Sequence, residues 1–255
     1  QTALHSNTTG SNNTASGLNA LYAATTADNN AAFGYRALRF NTTGASNVAL
    51  GMYALKANTT ASYNTAVGYG SLESNTTGAQ SVAVGKGALG ANTTGTHNVS
   101  LGYESLLNAT TADYNTAVGW KALEDNTTGG NNAAYGKISM FYNTTGSNNT
   151  ALGFGALRYN TTGGSHTLIG LKALYNNTTA YNNVAIGKEA LYNNTTGTDN
   201  VAVGYQALLT NITDSYNTAV GMCALKDNTT GNINTATGMR ALASNTTGTN
   251  NTASG

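Results

Sequence analysis

Charge is scarce in this chain. Only 8% of its 255 residues are charged, 11 basic against 10 acidic, for a net charge of +1. Typical soluble domains carry about 25%. So nearly neutral a chain has no basic field with which to hold nucleic acid or an anionic membrane surface. Proline is absent, so nothing in the sequence interrupts a continuous hydrogen-bonded ladder. The single cysteine, Cys223, excludes an internal disulfide framework. No apolar run reaches the ~18 residues of a membrane-spanning helix, and no signal-peptide pattern is visible.

Catalytic and metal-binding patterns are missing as well. His5, His97 and His166 fall at unrelated places and form no ligand set. The aspartates do not recur as in calcium-binding solenoids. Gly129-Gly130 and Gly163-Gly164 lack the Lys-Ser/Thr of a phosphate loop. No nucleophile elbow or paired carboxylates appear. The expectation is a protein that is not an enzyme and carries no cofactor.

What is present is a rhythm. Glycine recurs every 17 residues from Gly17 to Gly255, fifteen times, with no insertion or deletion. A period near 20 residues marks a solenoid, in which each unit stacks on the last. Let each unit end on that glycine. Position four is then leucine throughout, from Leu4 and Leu21 to Leu242, except at Met140. Position three is Ala or Ser. Position fifteen is Ala, except at Ser100 and Leu168, and position sixteen is mostly large and apolar (Phe33, Leu50, Val84, Ile186). Position thirteen is Asn in most units, as at Asn47, Asn64, Asn98 and Asn200. Charge never falls at positions three, four, seven to nine or thirteen to seventeen. Unpaired buried charge costs several kcal/mol, so these positions are candidates for burial or for another special environment.

Positions thirteen to sixteen read as a short strand whose two faces are both free of charge, and both are expected to be covered. A second extended piece is expected over positions one to four. Helix is excluded, because a glycine and an N-T-T-G cluster in every unit leave too little room. The fold class is therefore all-β: a parallel β-solenoid of fifteen 17-residue coils, with columns of leucine and of asparagine, the latter able to form amide ladders. One Leu, one Val or Ile and two Ala per coil make a thin core. Ladder hydrogen bonds and a partner chain are expected to supply the rest.

The strand units Ser81-Val82-Ala83-Val84-Gly85, Asn183-Val184-Ala185-Ile186-Gly187 and Asn200-Val201-Ala202-Val203-Gly204 resemble the S-V-A-I-G repeats of trimeric autotransporter adhesin heads and of related bacterial and phage fibres. The resemblance implies a left-handed β-roll with three chains per rod. It departs in period, which is about 14 residues in those heads; the extra residues here lie in the N-T-T-G corner.

That corner repeats the N-x-T acceptor of N-glycosylation, at Asn7, Asn41, Asn58, Asn75, Asn92, Asn108, Asn126, Asn143, Asn160, Asn177, Asn194, Asn211, Asn228 and Asn245. Asn, Thr and Gly also suit a tight turn on their own. Two variants favour the acceptor reading. Asn211-Ile212-Thr213 changes the middle residue and keeps the triplet. Asn108-Ala109-Thr110 moves the asparagine one step and keeps it too. Further acceptors at Asn12, Asn148 and Asn250 are expected to be weaker through partial burial.

The chain opens on the first position of a unit and closes on the last, without polar caps. It is expected to be a single solenoid over residues 1–255, a segment of a longer fibre. The functional expectation is a structural, N-glycosylated extracellular or cell-surface filament that self-associates, touches no nucleic acid and does not insert in a membrane. The alternatives are an adhesin head or tail-fibre shaft whose tip lies elsewhere, and ice binding.

Overall fold

A computed structural model describes residues 2–255. It is an all-β parallel solenoid, one strand per 17-residue coil, with no helix among the described residues. The chain divides into two compact units, a first ending at Gly130 and a second running from Asn131 to Gly255.

The first unit holds β1 (Thr14–Ser16), β2 (Ala31–Phe33), β3 (Val48–Leu50), β4 (Thr65–Val67), β5 (Val82–Val84), β6 (Val99–Leu101) and β7 (Thr116–Val118). Every pairing is parallel and in register by one coil: Val48 lies beside Thr65, Ala49 beside Ala66 and Leu50 beside Val67. The second unit repeats the scheme with β8 (Ala133–Tyr135), β9 (Thr150–Leu152), β10 (Thr167–Ile169), β11 (Val184–Ile186), β12 (Val201–Val203), β13 (Thr218–Val220), β14 (Thr235–Thr237) and β15 (Thr252–Ser254). There Val184 pairs with Val201 and Ile186 with Val203.

Alternation along a strand sends position fifteen inward. Ala49, Ala66, Ala185 and Ala202 have no exposed surface, and they meet the Ala-Leu pair of positions three and four, such as Ala54 and Leu55. Three columns thus make the core of each unit. At Ser100, where position fifteen gives way to serine, position three of the next coil is serine too, and Ser100 donates to the Ser105 carbonyl, 2.7 Å away.

Positions fourteen and sixteen point outward and stay partly or largely exposed, as at Val48 and Leu50. Only one strand face is covered within the chain. The expectation that both are buried does not hold intramolecularly.

Positions one to four also differ from expectation. They form a tight turn, not an extended piece. Position four is left-handed in every coil, with φ of 50° at Leu38, 50° at Leu55 and 48° at Leu174, and position two is left-handed from the second coil onward, as at Arg36 (φ 58°) and Gly70 (φ 63°). A non-glycine residue there costs about 1–2 kcal/mol. Burying the leucine it carries returns roughly 1.5–3 kcal/mol, so the fold tolerates the conformation. The recurrent glycine has a separate reason. At Gly34 φ is +131°, and a Cβ would lie 2.7 Å from the Gly51 carbonyl of the next coil. No side chain fits there.

Candidate functional site: the asparagine corner

Position seven enters the corner and position thirteen leaves it. Between them the chain turns through Thr-Thr-Gly, and the position-seven side chain faces inward. Asn58 donates Nδ2–H to Oδ1 of Asn41 in the preceding coil at 2.8 Å and to the Ala61 carbonyl of its own coil at 3.0 Å. Asn75 does the same to Asn58 (3.0 Å) and Gly78 (2.8 Å), and Asn92 to Asn75 (2.7 Å) and Gly95 (2.9 Å).

Position thirteen makes a second column. Asn47 Oδ1 accepts from the backbone N–H of Asn64 at 3.0 Å, while Asn47 Nδ2 donates to the Ala61 carbonyl at 2.8 Å. The position-ten carbonyl therefore receives both columns and locks the corner between them. The threonine at position eight adds a third tie, since Thr59 Oγ1 donates to the Thr76 carbonyl at 3.1 Å. The threonine at position nine stays exposed in every coil.

This geometry bears directly on the acceptor triplets. Asn41, Asn58, Asn75, Asn92, Asn126, Asn143, Asn160, Asn177, Asn194, Asn211 and Asn228 have no exposed surface. Asn7 and Asn245 are half-buried, each bonded to its position-ten carbonyl at 3.0 Å. A sugar on Nδ2 would replace a donor the ladder uses, in a space already filled by the chain. In the folded corner, ladder and glycan exclude each other. Asn108 stands apart: it is half-buried one position earlier and donates to Asp125 Oδ1 at 3.1 Å, outside the ladder. The three acceptors expected to be weakest, Asn12, Asn148 and Asn250, are the exposed ones.

Two alanines break the position-seven column. Beneath Ala24 lies Asn7, and beneath Ala109 lies Asn92. The Oδ1 atoms of both asparagines are buried and without a hydrogen-bond partner. The triplet survives at Ala109 through Asn108, but the ladder does not.

Substitutions in the position-thirteen column keep the bond to the next coil's backbone N–H, though the Ser81 hydroxyl donates to the Ala79 carbonyl of its own coil at 3.3 Å and not to a position-ten carbonyl. Ser81 accepts from the Asn98 N–H through Oγ at 3.1 Å. His166 imitates asparagine with both ring nitrogens: Nδ1 accepts from the Asn183 N–H at 3.1 Å, and Nε2 lies 2.9 Å from the Ala180 carbonyl, which assigns the proton to Nε2. Burial lowers its pKa from 6.5 to about 4. The other two histidines stack on tyrosines, His5 on Tyr22 at 4.9 Å and His97 on Tyr114 at 4.8 Å. No group of His, Cys, Asp and Glu among the described residues is arranged to hold a metal ion.

Beside the corner, positions five and six carry variable side chains. In the second unit Tyr142 stacks on Tyr159 and Tyr175 on Tyr192, each at 5.2 Å, and Arg158 donates to Tyr175 Oη at 2.9 Å. An open groove of about 660 Å³ runs there past Tyr159, Tyr175, Asn176, Asn193 and Ile212. It brings no acid or base into a cleft. No protein-family model, curated protein or solved structure matches the chain.

Proposed function

We propose that the chain is the shaft of an extracellular structural fibre, a non-catalytic stack of coils that copies of the chain extend and thicken by self-association. The observation that supports this best is the pair of asparagine columns. They tie each coil to the next through side chains as well as backbone, and they leave the outer surface free to vary. Such bonds act along the stacking direction, where a filament bears load. Low charge and the absence of a titratable cleft fit the same role. No helix of the described residues is long and apolar enough to cross a membrane.

Carbohydrate on such a fibre belongs on the exposed acceptors Asn12, Asn148 and Asn250, not on the ladder. Electron microscopy of the protein from its natural source, with peptide mass mapping, tests both statements. Filaments with unmodified Asn75 and Asn126 are expected. Dispersed single particles would overturn the fibre reading, and a glycan on Asn75 would overturn the ladder.

A further inference from the structure

Outside the core, the strands from β2 to β13 present an apolar strip, while β1, β14 and β15 carry Thr or Ser there. Position sixteen supplies Leu50 (50% exposed), Leu101 (37%), Leu152 (47%) and Ile169 (42%), and position one, just past the glycine, supplies Leu18 and Trp120 among others. None of the 21 charges of the chain falls at positions thirteen to seventeen. The lysines that enter position one are each laid over the aromatic ring of the following coil: Lys86 over Tyr103 at 5.2 Å, Lys137 over Phe154 at 6.0 Å, Lys188 over Tyr205 at 5.6 Å. Even the bordering charges are held against rings.

A large side chain has roughly 150–250 Å² to bury, so one about two-fifths exposed still offers about 60–100 Å². Nine such side chains at positions sixteen and one of the first unit come to about 540–900 Å², against about 800 Å² per partner in a standard protein interface. Soluble monomers rarely leave so much contiguous apolar surface open.

We propose that the outward strand face of positions fourteen and sixteen, with position one, is the surface by which a second copy of this chain docks. This rests on the fibre reading and names the face that reading requires. The occupant follows from the repeat. The strip advances by one identical step per coil, and only a partner with the same axial step meets every coil alike. A second copy has that step by construction, and its strand positions thirteen to seventeen are equally free of charge. A globular partner would match a few coils and leave the rest in water.

The test uses the whole chain in solution. Sedimentation velocity should show the wild type as a dimer or larger species. Placing glutamates on the strip, Leu50→Glu with Leu101→Glu, should weaken association by more than about tenfold, since unpaired charge forced together across an interface costs several kcal/mol. Circular dichroism should stay that of the wild type, because both side chains point away from the core. A cross-linking pair covers the case in which the glutamate variant misfolds. In a Cys223→Ser background, oxidation with diamide, which takes up the two electrons and two protons, should join Val84→Cys copies by a disulfide, while Thr77→Cys, exposed at position nine, should not cross-link. Cross-linking through Thr77→Cys and not Val84→Cys, or wild-type association of a folded glutamate variant, overturns the assigned face and leaves the fibre reading standing. A wild type that stays monomeric at millimolar concentration overturns both.

Discussion

The two units run the same repeat, and their position-seven columns differ. In the second unit, position-seven asparagines from Asn143 to Asn245 are joined one to the next, at distances from 2.6 Å (Asn177 to Asn160) to 3.4 Å (Asn194 to Asn177). In the first, alanine stands at 24 and 109, and each break leaves a buried amide oxygen without a partner below it. The backbone path is kept across both. At Ala109 the neighbouring coils still bond, Ala91 N–H to the Leu107 carbonyl and Thr93 N–H to the Thr110 carbonyl. Backbone ladder and apolar columns thus set the coil, and the amide column adds stability to a path already defined. A break costs an orphaned acceptor, not the fold.

That comparison can be broken from the intact side. Asn160→Ala removes the donor to Asn143 and Gly163 and the acceptor of Asn177 at once. An unsatisfied buried polar group costs about 1–3 kcal/mol, so the loss should be about 3–4 kcal/mol, read by urea unfolding and by faster amide exchange confined to the neighbouring coils. A loss of only a few tenths would mean that the column carries little.

Acid should find the second unit through His166. Its folded pKa of about 4 lies below the ordinary 6.5, so the unfolded chain takes up the proton more readily. Stability is complete above pH 6.5 and falls as pH drops toward 4, by up to about 3 kcal/mol. His166→Asn restores the common residue and should remove that slope. Exchange rates of coil-ten amides between pH 7 and 4 check this, and an unchanged slope would contradict the buried neutral imidazole.

Repairing the first unit is a smaller effect of opposite sign. Ala109→Asn gives Asn92 Oδ1 a donor, and a gain of about 1–2 kcal/mol is expected in urea unfolding. Ala24→Asn should act alike on Asn7. The smallest change concerns Asp214, which is 7% exposed, holds a position-ten site otherwise Gly or Ala, and has an unpartnered Oδ2. Burial raises its pKa. Asp214→Gly should stabilise by about 1 kcal/mol at pH 7 and by less at pH 3, where the folded carboxyl is neutral and the unfolded chain no longer gains by ionising it.

Much of this was legible in the sequence. The glycine period gave the coil, the Ala and Leu columns gave the core, and the position-thirteen asparagines gave a ladder. The left-handed turn was not legible. Leucine is a poor signal for positive φ, and the glycines that stand at position two (Gly70, Gly87, Gly155) appear in only a few coils. The corner was legible in part. The absence of charge at positions seven to nine pointed to burial, which holds at position seven and not at position nine, exposed in every coil, and the N-x-T triplet drew attention to the surface. Both variants that favour the triplet in the sequence serve other ends in three dimensions. Asn211 keeps the ladder while Ile212, 47% exposed, varies outside it. Asn108 keeps the triplet and loses the ladder.

The central claim is that position-seven asparagines are internal struts. A cryo-EM map of the native protein at side-chain resolution tests it most directly. The account predicts continuous density linking Asn58, Asn75 and Asn92, a gap above Asn92 at Ala109, and nothing projecting outward from these side chains. Density leaving Asn75 toward solvent, with its neighbours unlinked, would contradict it.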